Sequence, residues 1–216
     1  MSASGHGAAR LPTTAHTSRR WRIHEITADF RVEDVWAVPA RGSQDDFPRL
    51  VELIVSTDAS QIGSTAARFL WTARLKLGQV LGWDRRERGL GTRVRTLRDR
   101  LPPDLLDAPL GPINENSPFS PLYLLADEWA AEIANETVQG VIHVGWVPEE
   151  AGEFHAQLAI LVKPNGRFGV AYMAAIKPFR YLIVYPALMR HLERSWLTLR
   201  SDRPTEGDDD GALQEA

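Results

Sequence analysis

The sequence has no cysteine, which excludes disulfides, thiolate nucleophiles and cysteine-based zinc or iron–sulfur centres together. Packing alone must hold the fold. No window approaches the ~18 consecutive apolar residues that a membrane-spanning helix needs, so no membrane partner is expected. Charge of one sign is lacking too: 25 Lys and Arg stand against 28 Asp and Glu, a net charge of -3. Such a balance offers no basic field to nucleic acid or to an anionic bilayer. Arg19-Arg20 has the form of a twin-arginine export signal, but the following RIHEITADF is polar where an apolar segment should stand. A soluble cytoplasmic protein is the expectation.

What is present fits one domain, since 216 residues are enough for a single good core. Residues 1–19 are rich in Ser, Thr, Ala, Gly and His without an apolar period, and residues 201–216 include the acidic EGDDDGALQEA. Both read as disordered tails around a domain at 20–200. His6 and His16, single histidines in a flexible stretch, receive no role, and no metal site or cofactor is expected.

Within the domain, Phe30–Val38 alternates as a strand that sets Phe30, Val32, Asp34, Trp36 and Val38 on one side. Phe47–Val55 reads as a helix with Pro48 at its first turn, and Ser64 can cap a second helix over Thr65–Leu81 that ends at Gly82. Gly89-Leu90-Gly91-Thr92-Arg93-Val94 begins like a dinucleotide fingerprint but lacks the third glycine, so a turn into a short strand at Thr92–Thr96 is preferred. Arg93, Arg95, Arg98 and Arg100 form a local basic cluster, read as a solvated edge. Pro102–Pro121 reads as a long loop, the kind of segment that often borders a site.

Glu128–Ile133, Thr137–Val147 and Glu153–Lys163 thread as an antiparallel meander. Pairing Val147 with Glu153 sets Trp146 against Phe154, Val144 against Ala156 and Ile142 against Leu158, and pairing Ile133 with Val138 sets Trp129 against Ile142. One face is then wholly apolar, and a one-residue slip would destroy it. The opposite face contains Glu128, Glu132, Gln139, His143, His155 and Gln157, with Glu128 across from His143. A carboxylate beside an imidazole can orient a general base; the same row is also what a solvent-facing strand shows when it pairs opposite charges, and it faces away from the expected core. DEWAAEIAN is rich in helix formers, which leaves a helix open for Asp127–Asn135. Asn135-Glu136-Thr137 matches a glycosylation sequon, without meaning in an unsecreted chain.

In the last long stretch, Leu182, Tyr185, Met189, Leu192, Trp196 and Leu199 recur at spacings of three and four, so they share a helix face. Arg180, Arg190, Glu193 and Arg194 lie off that line. Arg167–Ile176 fits a further strand or the start of this helix, and Pro178 and Pro186 would bend a continuous one. The architecture expected is α+β: a curved antiparallel sheet closed by one long C-terminal helix.

TVQGVIHVGWV, HAQLAILVKPNG and GVAYMAAIKPFRYLIVYPALMR, together with DFRVEDVWAVP and LKLGQVLGWD, are similar to a bacterial domain of unknown function related to the START and polyketide-cyclase (SRPBCC) superfamily. The resemblance runs from about Trp21 to Leu199. It implies a helix-grip fold with a cavity between sheet and helix, a final helix starting near Arg167, and an apolar small molecule as ligand. Relatives accompany NAD(P)-binding domains of the short-chain dehydrogenase type, which implies an NAD(P)-dependent oxidoreductase as an alternative partner. The resemblance supplies no active-site residues, and this chain has Gln139 and Arg180 where relatives often have His.

The function expected is therefore binding of an apolar or aromatic small molecule by Trp36, Trp129, Ile142, Val144, Trp146, Phe154, Leu158, Tyr172, Tyr185 and Met189, an apolar and aromatic set of the kind that lines ligand pockets. These side chains could equally just fill the core. An enzyme of the cyclase, dehydratase or hydrolase type would need an inward acid or base, for which Asp34, Tyr123, Glu128 and His143 are the candidates, with Tyr172 and Tyr185 beside them. A module that docks on an oxidoreductase is the third reading.

Overall fold

The structure is a computed structural model and describes residues 8–57, 95–115, 117–134, 138–149, 152–164, 166, 173–174, 176–178 and 180–202. The helix expected after Ser64, the glycine-containing stretch at 89–94, the sequon, Tyr172 and the end from residue 203 lie outside the described residues.

Six antiparallel strands form one sheet: β1 (Ala9–Leu11), β2 (Arg31–Gly42), β3 (Ser120–Leu124), β4 (Glu128–Ala134), β5 (Val138–Pro148) and β6 (Phe154–Pro164), in the order β1-β2-β6-β5-β4-β3. Within Asp127–Asn135 the chain is therefore strand over Glu128–Ala134, because alternation of Trp129 and Ala131 against Glu128 and Glu132 outweighs the helix propensity of its residues. Short helices α1 (Thr14–Thr17) and α2 (Ile23–Ile26) precede β2, α3 (Phe47–Ser56) follows it, α4 (Pro103–Leu106) precedes β3, and α5 (Tyr185–Ser201) lies at the C-terminal end.

The predicted division of faces holds, but both hairpins are shifted by two residues. Trp146 pairs with Ala156, Val144 with Leu158 and Ile142 with Ile160; Trp129 pairs with Val144 and Ile133 with Gly140. A slide of two keeps every side chain on its face, so the hydrophobic pattern cannot detect it. The turn decides: Pro148 pairs with Phe154, the Glu149 N–H donates to the Glu153 carbonyl at 2.7 Å, and Gly152 takes a φ of 79° that suits glycine.

In β2 the alternation breaks. Val32 pairs with Leu161 but Asp34 with Ile160, so a β-bulge inserts one residue and exchanges faces. Phe30 and Val32 consequently pack on the side opposite to Asp34, Trp36 and Val38, not beside them.

The sheet is covered on both faces. On one, Trp36, Trp129, Val144, Trp146 and Leu158 meet Phe47 and Leu50 of α3 and Tyr185, Met189, Leu192 and Trp196 of α5. Pro48 sits in the first turn of α3, where its missing N–H costs nothing. Met173–Ala174 and Ile176–Pro178 are helical, Arg180–Val184 forms a π-helical turn, and Pro186 enters α5 directly after it. The wider turn changes the phase of the stripe. Tyr181 packs against the core, while Leu182, expected on the inner face, is 77% exposed. Leu199, near the end of the helix, is 47% exposed.

The other face was expected to meet solvent. Instead Trp21, Ile23 and Ile26 from the N-terminal segment, with Leu97, Leu101 and Leu105, cover Val35, Leu122, Ala130, Val141, Ala159 and Leu161 in a second core. The N-terminal stretch is not a free tail where it is described: β1 pairs with β2 and His16 is fully buried. Its few apolar residues are effective because the sheet offers small side chains beneath them. A Cβ on Gly145 would lie 2.6 Å from the Trp21 ring, so only glycine admits that indole. The Pro102–Pro121 segment likewise is no simple loop, since it contains α4, whose Leu105 is buried.

Candidate functional site

Two polar constellations are buried, one under each cover. Beneath α5, Asp34 projects from the bulged part of β2 and is 1% exposed. Both of its oxygens are engaged: Tyr181 donates to Oδ1, Tyr185 donates to Oδ2 at 2.7 Å, and Arg180 Nη2 lies 3.1 Å from Oδ2. The inward acid sought from the sequence thus has partners, and the π-turn residues Arg180 and Tyr181 supply two of the three. Neither was among the expected candidates, because only the altered helix phase turns Tyr181 inward. Burial first, and the neighbouring carboxylate second, push the Tyr185 phenol well above its ordinary range, so it is a durable donor.

Beside this cluster lies a row of side chains across four strands. Cross-strand pairing aligns Trp36, Leu158, Val144 and Trp129 on β2, β6, β5 and β4. At strand spacings of about 4.8 Å, the two tryptophans stand ~14 Å apart at the ends of the row. The Tyr185 ring packs on Trp36 at a centroid distance of 4.9 Å. Both indoles are more than nine-tenths buried, and neither Nε1–H meets an acceptor among the described residues. Trp146 differs: its N–H donates to the Ser43 carbonyl at 3.0 Å, and its ring packs against Phe47, Phe154 and Trp196. Its role is packing. Ile142 and Phe154 are partly buried at the margin of this core, and Met189 lies within it.

On the opposite face Glu128 and His143 do come together, although the two-residue shift sets them diagonally. Glu128 Oε2 lies 3.0 Å from His143 Nε2, His143 Nδ1 lies 3.1 Å from His16 Nε2, and His16 Nδ1 lies 3.2 Å from His24 Nε2. The Arg22 backbone N–H donates to both Glu128 oxygens at 2.9 and 3.1 Å. Glu132 does the same for the second covering segment, accepting from Leu97 N–H at 3.1 and 3.0 Å and from the Thr96 hydroxyl. Each carboxylate therefore takes the first free donors of a short helical turn laid over the sheet. Burial raises Glu128 to about 7 and lowers His143 to about 3 and His16 to about 2, where neighbouring imidazoles add to the effect. Tyr123 is on this face, separated by the sheet from Asp34, with its hydroxyl buried and unpaired among the described residues. Of the basic cluster, Arg100 binds Asp29 at 2.6 Å and the Ile26 carbonyl at 3.1 Å, which ties the two covers together; Arg93 lies outside the described residues.

Among the described residues no group of histidines and acids could hold a metal ion, and no helix is long and apolar enough to cross a membrane. Residues 26–187 match a family model described as a protein of unknown function (DUF2867). No curated protein and no solved structure matches the chain.

Proposed function

The chain belongs to the DUF2867 family, and from that premise we propose that it binds a largely apolar or aromatic small molecule with oxygen acceptors beneath its C-terminal helix. In this reading sheet and helix act as a helix grip. The observation that carries it is the pair of buried, unpartnered indole N–H groups of Trp36 and Trp129 at the two ends of one cross-strand row. An unsatisfied buried donor costs about 1–3 kcal/mol, a cost that carbonyl or ether oxygens of a ligand would relieve. Leu158 and Val144 between them supply apolar contact.

Catalysis by Asp34 is the weaker reading. Its oxygens already accept from Tyr181 and Tyr185 and pair with Arg180, so none is turned toward a substrate. The cluster instead fastens the start of the helix to the sheet and fixes one wall of the binding region.

Native mass spectrometry of protein purified from its own host tests this. A stoichiometric organic molecule is expected. Trp36→Phe and Trp129→Phe keep an aromatic ring but remove the donor, and each should weaken ligand affinity at least about tenfold, as loss of one hydrogen bond of ~1.4 kcal/mol implies. Protein that is empty and travels with an NAD(P)-dependent oxidoreductase, with both variants unaffected, would replace ligand binding by docking.

A further inference from the structure

The second face carries a connected line of titratable groups that ligand binding does not use. It starts at His24, half-buried on α2, passes through the fully buried His16 and His143, and ends at Glu128, 1% exposed. Each link is of hydrogen-bond length, and each ring uses one nitrogen toward either neighbour. We infer that this line is a proton-transfer chain that exchanges one proton between solvent at His24 and the buried carboxyl of Glu128.

Connectivity limits the chain to two arrangements of neutral rings, because a neutral imidazole has one donor and one acceptor nitrogen. With Glu128 ionised, His143 must donate from Nε2, so its Nδ1 accepts from His16 Nε2–H and His16 Nδ1 accepts from His24 Nε2–H. With Glu128 protonated, its hydroxyl donates to His143 Nε2 and every ring carries its proton on Nδ1. The step between them balances. A solvent proton binds His24 Nδ1, the Nε2 proton of each ring crosses to Nδ1 of the next, and the Nε2 proton of His143 moves to Glu128 Oε2. One proton enters, one carboxylate is neutralised, and no imidazolium is left in the interior.

The surroundings favour that outcome. From α2, His24, the Arg22 backbone N–H and the Arg22 guanidinium face Glu128, with the guanidinium held by Glu25 at 2.6 Å and by Asp104 of α4 at 2.8 Å. β3 contributes Tyr123, the residue before β4 is Asp127, α1 contributes His16 and β5 contributes His143. Burial opposes charge on both inner rings and on the carboxyl, so transfer through neutral tautomers is the economical route. A purely structural tie between cover and sheet would serve with fixed tautomers and would not need three rings aligned.

The test is 15N NMR of the full chain with labelled histidine, followed from about pH 5 to about pH 9 to bracket the histidine range, with Glu128 13Cδ assigned through Glu128→Gln. The expected result is a change of all three rings from Nδ1–H to Nε2–H with one midpoint, shared with the Glu128 carboxyl. His24→Phe should leave thermal unfolding cooperative yet slow exchange of the His143 ring proton by about tenfold or more, since exchange would then need opening of the cover. Rings that keep their tautomers while Glu128 titrates, a Glu128 that does not titrate with them, or a His143 proton indifferent to His24→Phe would each overturn the inference.

Discussion

The two faces of one sheet are closed in opposite ways. Under α3 and α5 the contact is aromatic and aliphatic, and the unsatisfied groups are donors, the indoles of Trp36 and Trp129. Under the N-terminal segment the anchors are acceptors, Glu128 and Glu132, which backbone donors of the covering turns satisfy, while Trp21 Nε1, the Tyr123 hydroxyl and Gln157 Oε1 have no partner among the described residues. The first face binds its cover mainly by area, which is non-directional. The second adds to its apolar contact hydrogen bonds in fixed positions. The proposed ligand is placed on the helix-covered face because the two unpartnered indoles there stand at the ends of one cross-strand row.

The largest expected effect comes from breaking the area-driven face. Trp146 is fully buried between Phe47, Phe154 and Trp196, and Trp146→Ala should cost about 3–5 kcal/mol in urea denaturation. A gentler perturbation acts on the hydrogen-bonded face alone. Folding lowers His16 to about 2 and His143 to about 3 from 6.5, so the unfolded chain takes up two protons that the folded one refuses, and stability falls as pH drops below ~6.5. Glu128, raised to about 7 from 4.5, acts in the opposite sense: its contribution is present at low pH and is lost as pH rises through about 7. Between about pH 4.5 and 6.5 these three groups leave a net of one proton, ~1.4 kcal/mol per pH unit, and His24 and His155, also lowered by burial, act in the same direction, so stability should rise with pH across this range. Denaturation midpoints across that range check both sign and slope. The smallest effect sharpens the boundary between cluster and row: Tyr185→Phe removes one donor from Asp34 and should cost about 1.5 kcal/mol while the Trp36 contact persists.

Much of this was legible in the sequence, and the failures share a cause. Alternation in β4, β5 and β6 assigned every side chain to the right face, but it repeats every two residues and cannot distinguish the real register from one displaced by two. The row Glu128, Glu132, Gln139, His143 and Gln157 looks the same whether water or another segment lies above it. The signal that could have separated them is Trp21, Ile23 and Ile26, an apolar group needing a surface just where the tail was expected to end, with His16 before it. The phase of the last helix was readable from Tyr185 onward, whereas the π turn at Arg180–Val184 depends on how Tyr181 reaches Asp34, a contact across 147 positions of chain. The Asp34 cluster was therefore visible as an acid without its partners.

The most direct test of the contrast between the faces is a 1H–15N spectrum of the indole N–H groups with and without prodan, an aromatic ketone with an apolar body and one strong acceptor. The Trp36 and Trp129 resonances are expected to move downfield as they gain an acceptor, while Trp21, wedged over Gly145 on the other face, stays in place. A shift of Trp21 instead, or of none of the three, would contradict that contrast.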